Sequence, residues 1–419
     1  MGAQYDAPMA LTRLEVWDPE GASHLRTARG LPAVTVQGGV KAPLAILVDA
    51  ARTQLGLAVA FVTHSDDGRV VMESLDPDMA LPPGLRWQSA SPPAPSGDAT
   101  PWFQPGWFGQ TLPMIDHELG ERGLRRTGPL VQVRHFEMAT LFRMPTDAGN
   151  VWFKMGPPIF RHEGAVTAWL HQLAPQAVPD VIANGPGWWI AAEFPVEAEG
   201  PRGHAFETLV QVQLDAAART SELLEIGCPY RGLDQLVDDL AALVKRDDLI
   251  PLEDADALRS ALPAIGTICR DVEALGIPYT VVHGDFREKN VRWTDNGWFL
   301  YDWSDACIAH PFIDTEDRDM RSWESDTQIF SAKWSEAVAP QSVERIEAVA
   351  EVICVAHRCV TLERIIDSVP DSISPPSSHG KQALRGGPLL IFAAGDLVEK
   401  VERHRPTRRR RRLLPTFRS

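Results

Sequence analysis

The chain has 419 residues, 56 acidic against 41 basic side chains for a formal net charge of −15, and 44% hydrophobic content. That is apolar material for a core in each of two or three domains, while the acidic surplus argues against nucleic acid as the main partner, because phosphate contacts need a basic surface. No run approaches the roughly 20 apolar residues of a membrane-spanning helix, the N-terminus lacks a basic segment followed by an apolar one, and the five cysteines are scattered without a Cys-x-x-Cys pair. A cytoplasmic protein with reduced, buried thiols is expected.

In chain order, "APLAILVDAARTQLGLAVAFVTHSDDGRVVMESLDPD" reads as a helix of about four turns, a strand, a turn at Asp66-Asp67-Gly68 and a returning strand. This stretch resembles the opening of a GAF-type sensor domain, but too few strands follow for such a domain to close. Residues 1–90 are therefore expected to form a small helix-plus-hairpin region, a small α/β segment. Pro, Ser, Gly and Ala then crowd out periodic hydrophobics, which marks residues 91–106 as a linker.

Past the linker, "FGQTLPMIDHELGERGL" predicts a helix, and "PLVQVRHFE", "ATLFRMPT" and "NVWFKM" predict three strands. A helix from about Arg161 to Leu173 and a strand in "GWWIAAEF" follow. Residues 107–198 thus read as a small antiparallel sheet crossed by one helix. Residues 199–402 read as mostly helical around "YTVVHGDFREKNVRWTDNGWFLYDW", which predicts a strand, a polar loop, and a hairpin turning at Asn296-Gly297. In "ERIEAVAEVICVAHRCVTLERIID" the residues Ile346, Val349, Ile353, Val360 and Ile365 fall at helical spacing and are assigned to core. The five consecutive arginines Arg408–Arg412 in residues 403–419 repel one another and predict a disordered basic tail.

The polar loop carries the chemistry. Asp285 follows His283-Gly284, Asn290 lies five residues later, and Asp302 ends the last strand of the hairpin. Two carboxylates and an amide oxygen offered near one point suit Mg²⁺, which takes one or two protein carboxylates beside substrate phosphates. Phosphoryl transfer needs such an arrangement: an acceptor-orienting Asp and groups that hold a charge-neutralising metal.

His-Gly-Asp-x-x-x-x-Asn followed by "DW" resembles the aminoglycoside phosphotransferase family, which includes choline-type and other small-molecule kinases, over about residues 107 to 400. The resemblance implies an α+β, protein-kinase-like two-lobe fold: a small sheet of five strands with one helix, then a helical lobe with the catalytic loop. It implies Asp285 as the residue that orients the acceptor hydroxyl, Asn290 and Asp302 as Mg²⁺ ligands, and Lys154 paired with Glu163 at the nucleotide phosphates. Ala192, Glu193 and Phe194 would bind the nucleotide base through their backbone. With no Gly-x-Gly-x-x-Gly in the turn between the first strands, Thr140 or nearby amides would contact phosphate. The nucleotide implied is ATP, with GTP left open.

The family loop reads close to His-Gly-Asp-Leu-His-Pro-Gly-Asn, whereas Arg287, Glu288 and Lys289 stand here in place of His-Pro-Gly. Arg287 either offsets charge on the transferred phosphate or points to solvent. Residues 314–326 hold six carboxylates in thirteen positions, suited to a cationic hydroxyl acceptor such as an amino sugar; the alternative is a solvated surface with Asp314 bonded back to the catalytic loop. A non-catalytic nucleotide-binding regulator is the competing functional reading, and an absent Asp-Phe-Gly and Ala-Pro-Glu argue against a protein kinase.

Overall fold

The computed structural model describes residues 8–65, 67–76, 80–91, 100–199, 204–315, 324–368 and 388–404. Among them the chain divides into two compact units, one holding residues up to Gly164 together with Asp180–Phe194, the other Ala165–Pro179, Pro195–Ile366 and the C-terminal helix. No helix among the described residues is long and apolar enough to cross a membrane.

The first unit contains two sheets. One combines β1 (Met9–Trp17), β2 (Ser23–Arg26), β3 (Ala33–Gln37), β4 (Val59–His64), β5 (Val70–Ser74) and β6 (Arg86–Ser89), in the order β4-β5-β1-β2-β6 with β3 also on β1. The helix α1 (Leu44–Leu55) buries Leu47, Ala50 and Ala51, and ends at Gly56, whose left-handed φ of 68° lets its amide return to Arg52 O. The expected helix and hairpin are thus α1, β4 and β5, but they belong to a six-stranded sheet. The strands before Leu44 escaped detection because β1 alternates only in its first half and is then buried residue after residue, its neighbours changing from β3 to β5.

The expected linker is also partly structure. Residues 92–99 lie outside the described residues, but Trp102 in the turn Pro101–Phe103 is fully buried and joins Trp17, Ala60, Val62, Phe108 and Phe142 in one core. Glu73 on β5 accepts hydrogen bonds from the amides of Gly106, Phe108 and Gly109 at the start of α2 (Trp107–Gly120). The carboxyl oxygens there satisfy orphan donors of the helix start. Gln132 likewise pairs its side-chain amide with both the N–H and C=O of Phe61 on β4.

The second sheet has the order β10-β11-β9-β8-β7, built from β7 (Val131–Phe136), β8 (Ala139–Thr146), β9 (Gly149–Met155), β10 (Val181–Gly185) and β11 (Trp188–Ala192). These are the five strands the resemblance implied, and every pairing is antiparallel. The crossing helix α3 (Glu163–Leu173) starts in this unit and continues into the other.

The second unit is mostly helical: α4 (Ala205–Ala217), α5 (Thr220–Glu225), α6 (Leu233–Leu243), α7 (Leu252–Glu273), α8 (Glu324–Ala337), α9 (Pro340–Glu347), α10 (Ala350–Ser368) and α11 (Pro388–His404). Two short ladders interrupt it, β12 (Thr280–Val282) with β15 (Cys307–Ala309), and the hairpin β13 (Val291–Thr294) with β14 (Gly297–Leu300). Of the assigned helical core, Ile346, Ile353 and Val360 are buried; Val349 and Ile365 are half-buried, because the chain breaks between α9 and α10 and Ile366 takes the inward place. All five cysteines are buried free thiols. The arginine tail and residues 316–323 of the acidic stretch lie outside the described residues.

Candidate active site

The first unit contains a buried ion pair. On β9 the apolar Val151 and Phe153 point to one face, so the period of two sends Lys154 to the other. There it stands opposite Trp189 of β11 in register. A Cβ on Gly164 would lie 2.9 Å from Trp189 Cβ and 2.8 Å from Asn184 Cβ. Only glycine therefore lets α3 approach the sheet so closely, and the approach brings Glu163, in the first turn of α3, to Lys154. The Lys154 Nζ to Glu163 Oε1 distance is 2.7 Å, with side-chain exposures of 11% and 5%.

Other nucleotide candidates fall differently. On β8 the inward positions are Thr140, Phe142, Met144 and Thr146. Thr140 is fully buried, with its hydroxyl 2.9 Å from His135 Nδ1, so its side chain is committed to the core, and the expectation that it contacts phosphate is corrected. Face, not loop position, decides its direction. Ala192 already donates its amide to Asp180 O, Glu193 pairs with Arg143 and with the Trp152 indole, and the Phe194 ring lies 5.6 Å from that of Trp152.

In the second unit the loop after β12 is held from below. Asp314, buried, accepts the amides of His283 (2.8 Å) and Gly284 (2.9 Å), and Gln213 of α4 donates to the same carboxylate at 2.9 Å. Trp334 of α8 in turn donates to Gln213 Oε1. Burial pushes the Asp314 carboxyl above its ordinary range, opposed by the facing His283 and these donors. The bond of Asp314 back to this loop is the alternative offered for the acidic stretch; Gln213 was not expected, although a Gln among the buried Phe206, Leu209, Val210 and Ala216 of α4 is a signal, since a buried amide needs partners. Gly284 has φ +77°, and a Cβ there would stand 2.5 Å from Asp305 O, so both dihedral and space require glycine. Phe286 anchors the loop against Phe206, and the His283 ring lies over Trp303 and contacts Tyr301 O through Nε2.

This scaffold brings Asp285, Asn290 and Asp302 to one end of the β13–β14 hairpin. Val291 pairs with Leu300, and Tyr301 N reaches Asn290 O at 3.0 Å, so Asn290 and Asp302 flank the same hairpin end. Asn290 uses Nδ2 to bind Asp285 O (2.8 Å) and Asp285 Oδ2 (3.0 Å), so its amide oxygen is not the atom engaged in these bonds. Asp302 has φ 68°, the one positive φ outside glycine among the described residues, and accepts a hydrogen bond from Ser304. A left-handed aspartate costs on the order of 1 kcal/mol, and such strain collects at functional sites. Among the described residues no three His, Cys, Asp or Glu side chains cluster as a metal site. One carboxylate and one amide oxygen nonetheless fit Mg²⁺, which needs few protein ligands when phosphates and water complete its shell. Arg287 is turned onto Asp285, 2.5 Å from Nη2 and 2.9 Å from Nε to the same Oδ2.

Residues 157–316 match the model of the phosphotransferase enzyme family, APH. The matched segment holds Glu163, Asp285, Asn290 and Asp302 and stops short of Lys154. Comparison with curated proteins gives no match. Among solved structures the chain is similar to macrolide 2'-phosphotransferase type I, with 17% identity over 69% of this chain and 97% of that one at a TM-score of 0.45. It is similar also to a choline/ethanolamine kinase family protein from Mesorhizobium loti, with 17% identity, 66% and 94% coverage and a TM-score of 0.41. For the streptomycin-ATP-APH(2")-IIa ternary complex the values are 13%, 69%, 95% and 0.43. All three TM-scores lie below 0.5, so the functional reading rests on the family match and the site's own residues.

Proposed function

We propose that the chain transfers the γ-phosphoryl group of ATP to a hydroxyl of a small molecule. Asp285 accepts the acceptor's proton while its oxygen bonds to phosphorus, the bond from phosphorus to the β,γ-bridging oxygen breaks, and ADP leaves. Asn290 Oδ1 and the Asp302 carboxylate would hold Mg²⁺, which when bound neutralises charge on the phosphates. Lys154, oriented by Glu163, binds the nucleotide phosphates. The backbone at Ala192, Glu193 and Phe194 is the proposed base contact, with the Ala192 carbonyl in place of its already bonded amide. The observation that carries this reading is the convergence of Asp285 and Asn290 on one bonded pair next to a strained Asp302.

Thermal stabilisation by ATP and GTP with and without Mg²⁺ tests the site, since binding to the native state raises the melting temperature. Magnesium-dependent stabilisation, followed by phosphoryl transfer to a panel of neutral and amino-bearing polyols that falls roughly 10²- to 10⁴-fold in Asp285→Asn, is expected. Stabilisation without transfer to any acceptor would favour a nucleotide-binding regulator, and no stabilisation by either nucleotide would overturn the reading.

A further inference from the structure

The ion pair on Asp285 is unusual in what it leaves over. A guanidinium meets a carboxylate best as a fork, two parallel bonds to two oxygens. Here Nε and Nη2 both converge on Oδ2, the oxygen that Asn290 also bonds. Arg287 carries five N–H donors, of which two are used, and Asp285 is its one polar partner among the described residues. Two of the remaining three, one on Nη1 and one on Nη2, form the guanidinium's next edge, on a side chain that is 29% exposed, while the Asp285 side chain is 10% exposed. The arginine is thus the more exposed member of the pair, and its second edge makes no bond among the described residues.

The charge balance gives that edge a purpose. A reaction in which a carboxylate guides a hydroxyl toward a phosphoryl group must bring two anions within a few ångströms of each other, and a fixed cation between them relieves the repulsion most where charge is greatest, in the transition state. We infer that Arg287 bridges Asp285 and the transferring phosphoryl group, holding the first with Nε and Nη2 and binding the second through its free N–H edge. This rests on the proposed phosphotransferase reading and adds a catalytic residue to it. A planar, permanently charged fork suits the task better than a lysine, and the end-on geometry leaves room for the second anion without breaking the first contact.

The test needs no knowledge of the acceptor. Wild type, Arg287→Met and Arg287→Lys are compared for thermal stabilisation by ADP·Mg²⁺ alone and by ADP·Mg²⁺ with fluoroaluminate, a flat anion that mimics the phosphoryl group in flight, and for phosphate release from ATP with water as acceptor. Arg287→Met is expected to keep the ADP·Mg²⁺ shift, to lose the extra shift from fluoroaluminate, and to lower kcat about 10²- to 10³-fold with KM for ATP nearly unchanged; Arg287→Lys recovers part of both. If Arg287 only steadied the loop, the fluoroaluminate increment would survive in Arg287→Met. That survival, or an increment missing from wild type that does bind ADP·Mg²⁺, overturns the inference and leaves the function reading standing. Wild type that binds no ADP·Mg²⁺ overturns both.

Discussion

Replacing Lys154 by Met, Glu163 by Gln, and the two together by Met and Leu separates what the ion pair does for stability from what it does for nucleotide. At 2.7 Å and an effective dielectric near 20, Coulomb's law gives an attraction of about 6 kcal/mol. Desolvation offsets most of it, because the side chains are only 11% and 5% exposed. Removing one partner breaks this bond and leaves the other buried charge less well compensated, at an expected loss of up to about 3–5 kcal/mol. Removing both leaves an apolar pair of similar volume between β9 and α3, so the double variant should lose less than either single one. Urea unfolding followed by tryptophan emission reads this directly, since Trp102, Trp107 and Trp189 are buried in the same unit. Losses below about 1 kcal/mol for both single variants, or a double variant that loses their sum, would refute the reasoning. The double variant, though stable, should show no ATP-dependent stabilisation, which distinguishes a phosphate-binding lysine from a merely structural one.

Two further outcomes follow from strained or buried carboxylates. Burial raises the Glu73 carboxyl from 4.5 to about 8 against the pull of three amides. Between those values the native state holds a proton the unfolded chain has released, so stability falls as pH rises through that window, by at most about 1.4 kcal/mol per pH unit. Glu73→Gln should flatten this slope, and urea midpoints that run parallel for variant and wild type would sink the idea. Asp302→Gly should be at least as stable as wild type, because glycine relieves a left-handed φ costing on the order of 1 kcal/mol, yet lose the magnesium-dependent part of nucleotide stabilisation; retention of that part would remove Asp302 as a metal ligand.

The candidate site was legible where chemistry and period coincide. The spacing of Asp285, Asn290 and Asp302 survives in the fold because the two-residue turn Asp295-Asn296, one residue earlier than the expected Asn296-Gly297, pairs Thr294 with Gly297 and so sets the register that brings Asn290 and Asp302 to the same hairpin end. Lys154 could be placed because strand alternation sends it away from Val151 and Phe153. Thr140 shows the same rule neglected: counting along "ATLFRMPT" puts it on the face of Phe142 and Met144, which no loop-based phosphate contact can use. The strands before Leu44 were hidden for a different reason, since β1 changes partners partway along and its burial follows neither template throughout.

What holds the loop was harder to read because its parts are far apart in sequence. Gln213 and Asp314 are 101 residues apart, and Asp314 and His283 are 31 apart; no local pattern links them. Yet the physics leaves few alternatives once the loop is buried. The His283 and Gly284 amides face inward, Gly284 in a conformation that only glycine adopts comfortably and with no room for a Cβ, so they need an acceptor that water cannot supply. A carboxylate takes both, at a desolvation cost visible in the raised Asp314 carboxyl, and the Gln213 amide offsets part of that cost. The strain and buried charge beneath Asp285 thus form one device: each element is unfavourable alone, and together they leave the Asp285 loop a single conformation in which to meet Arg287 and Asn290.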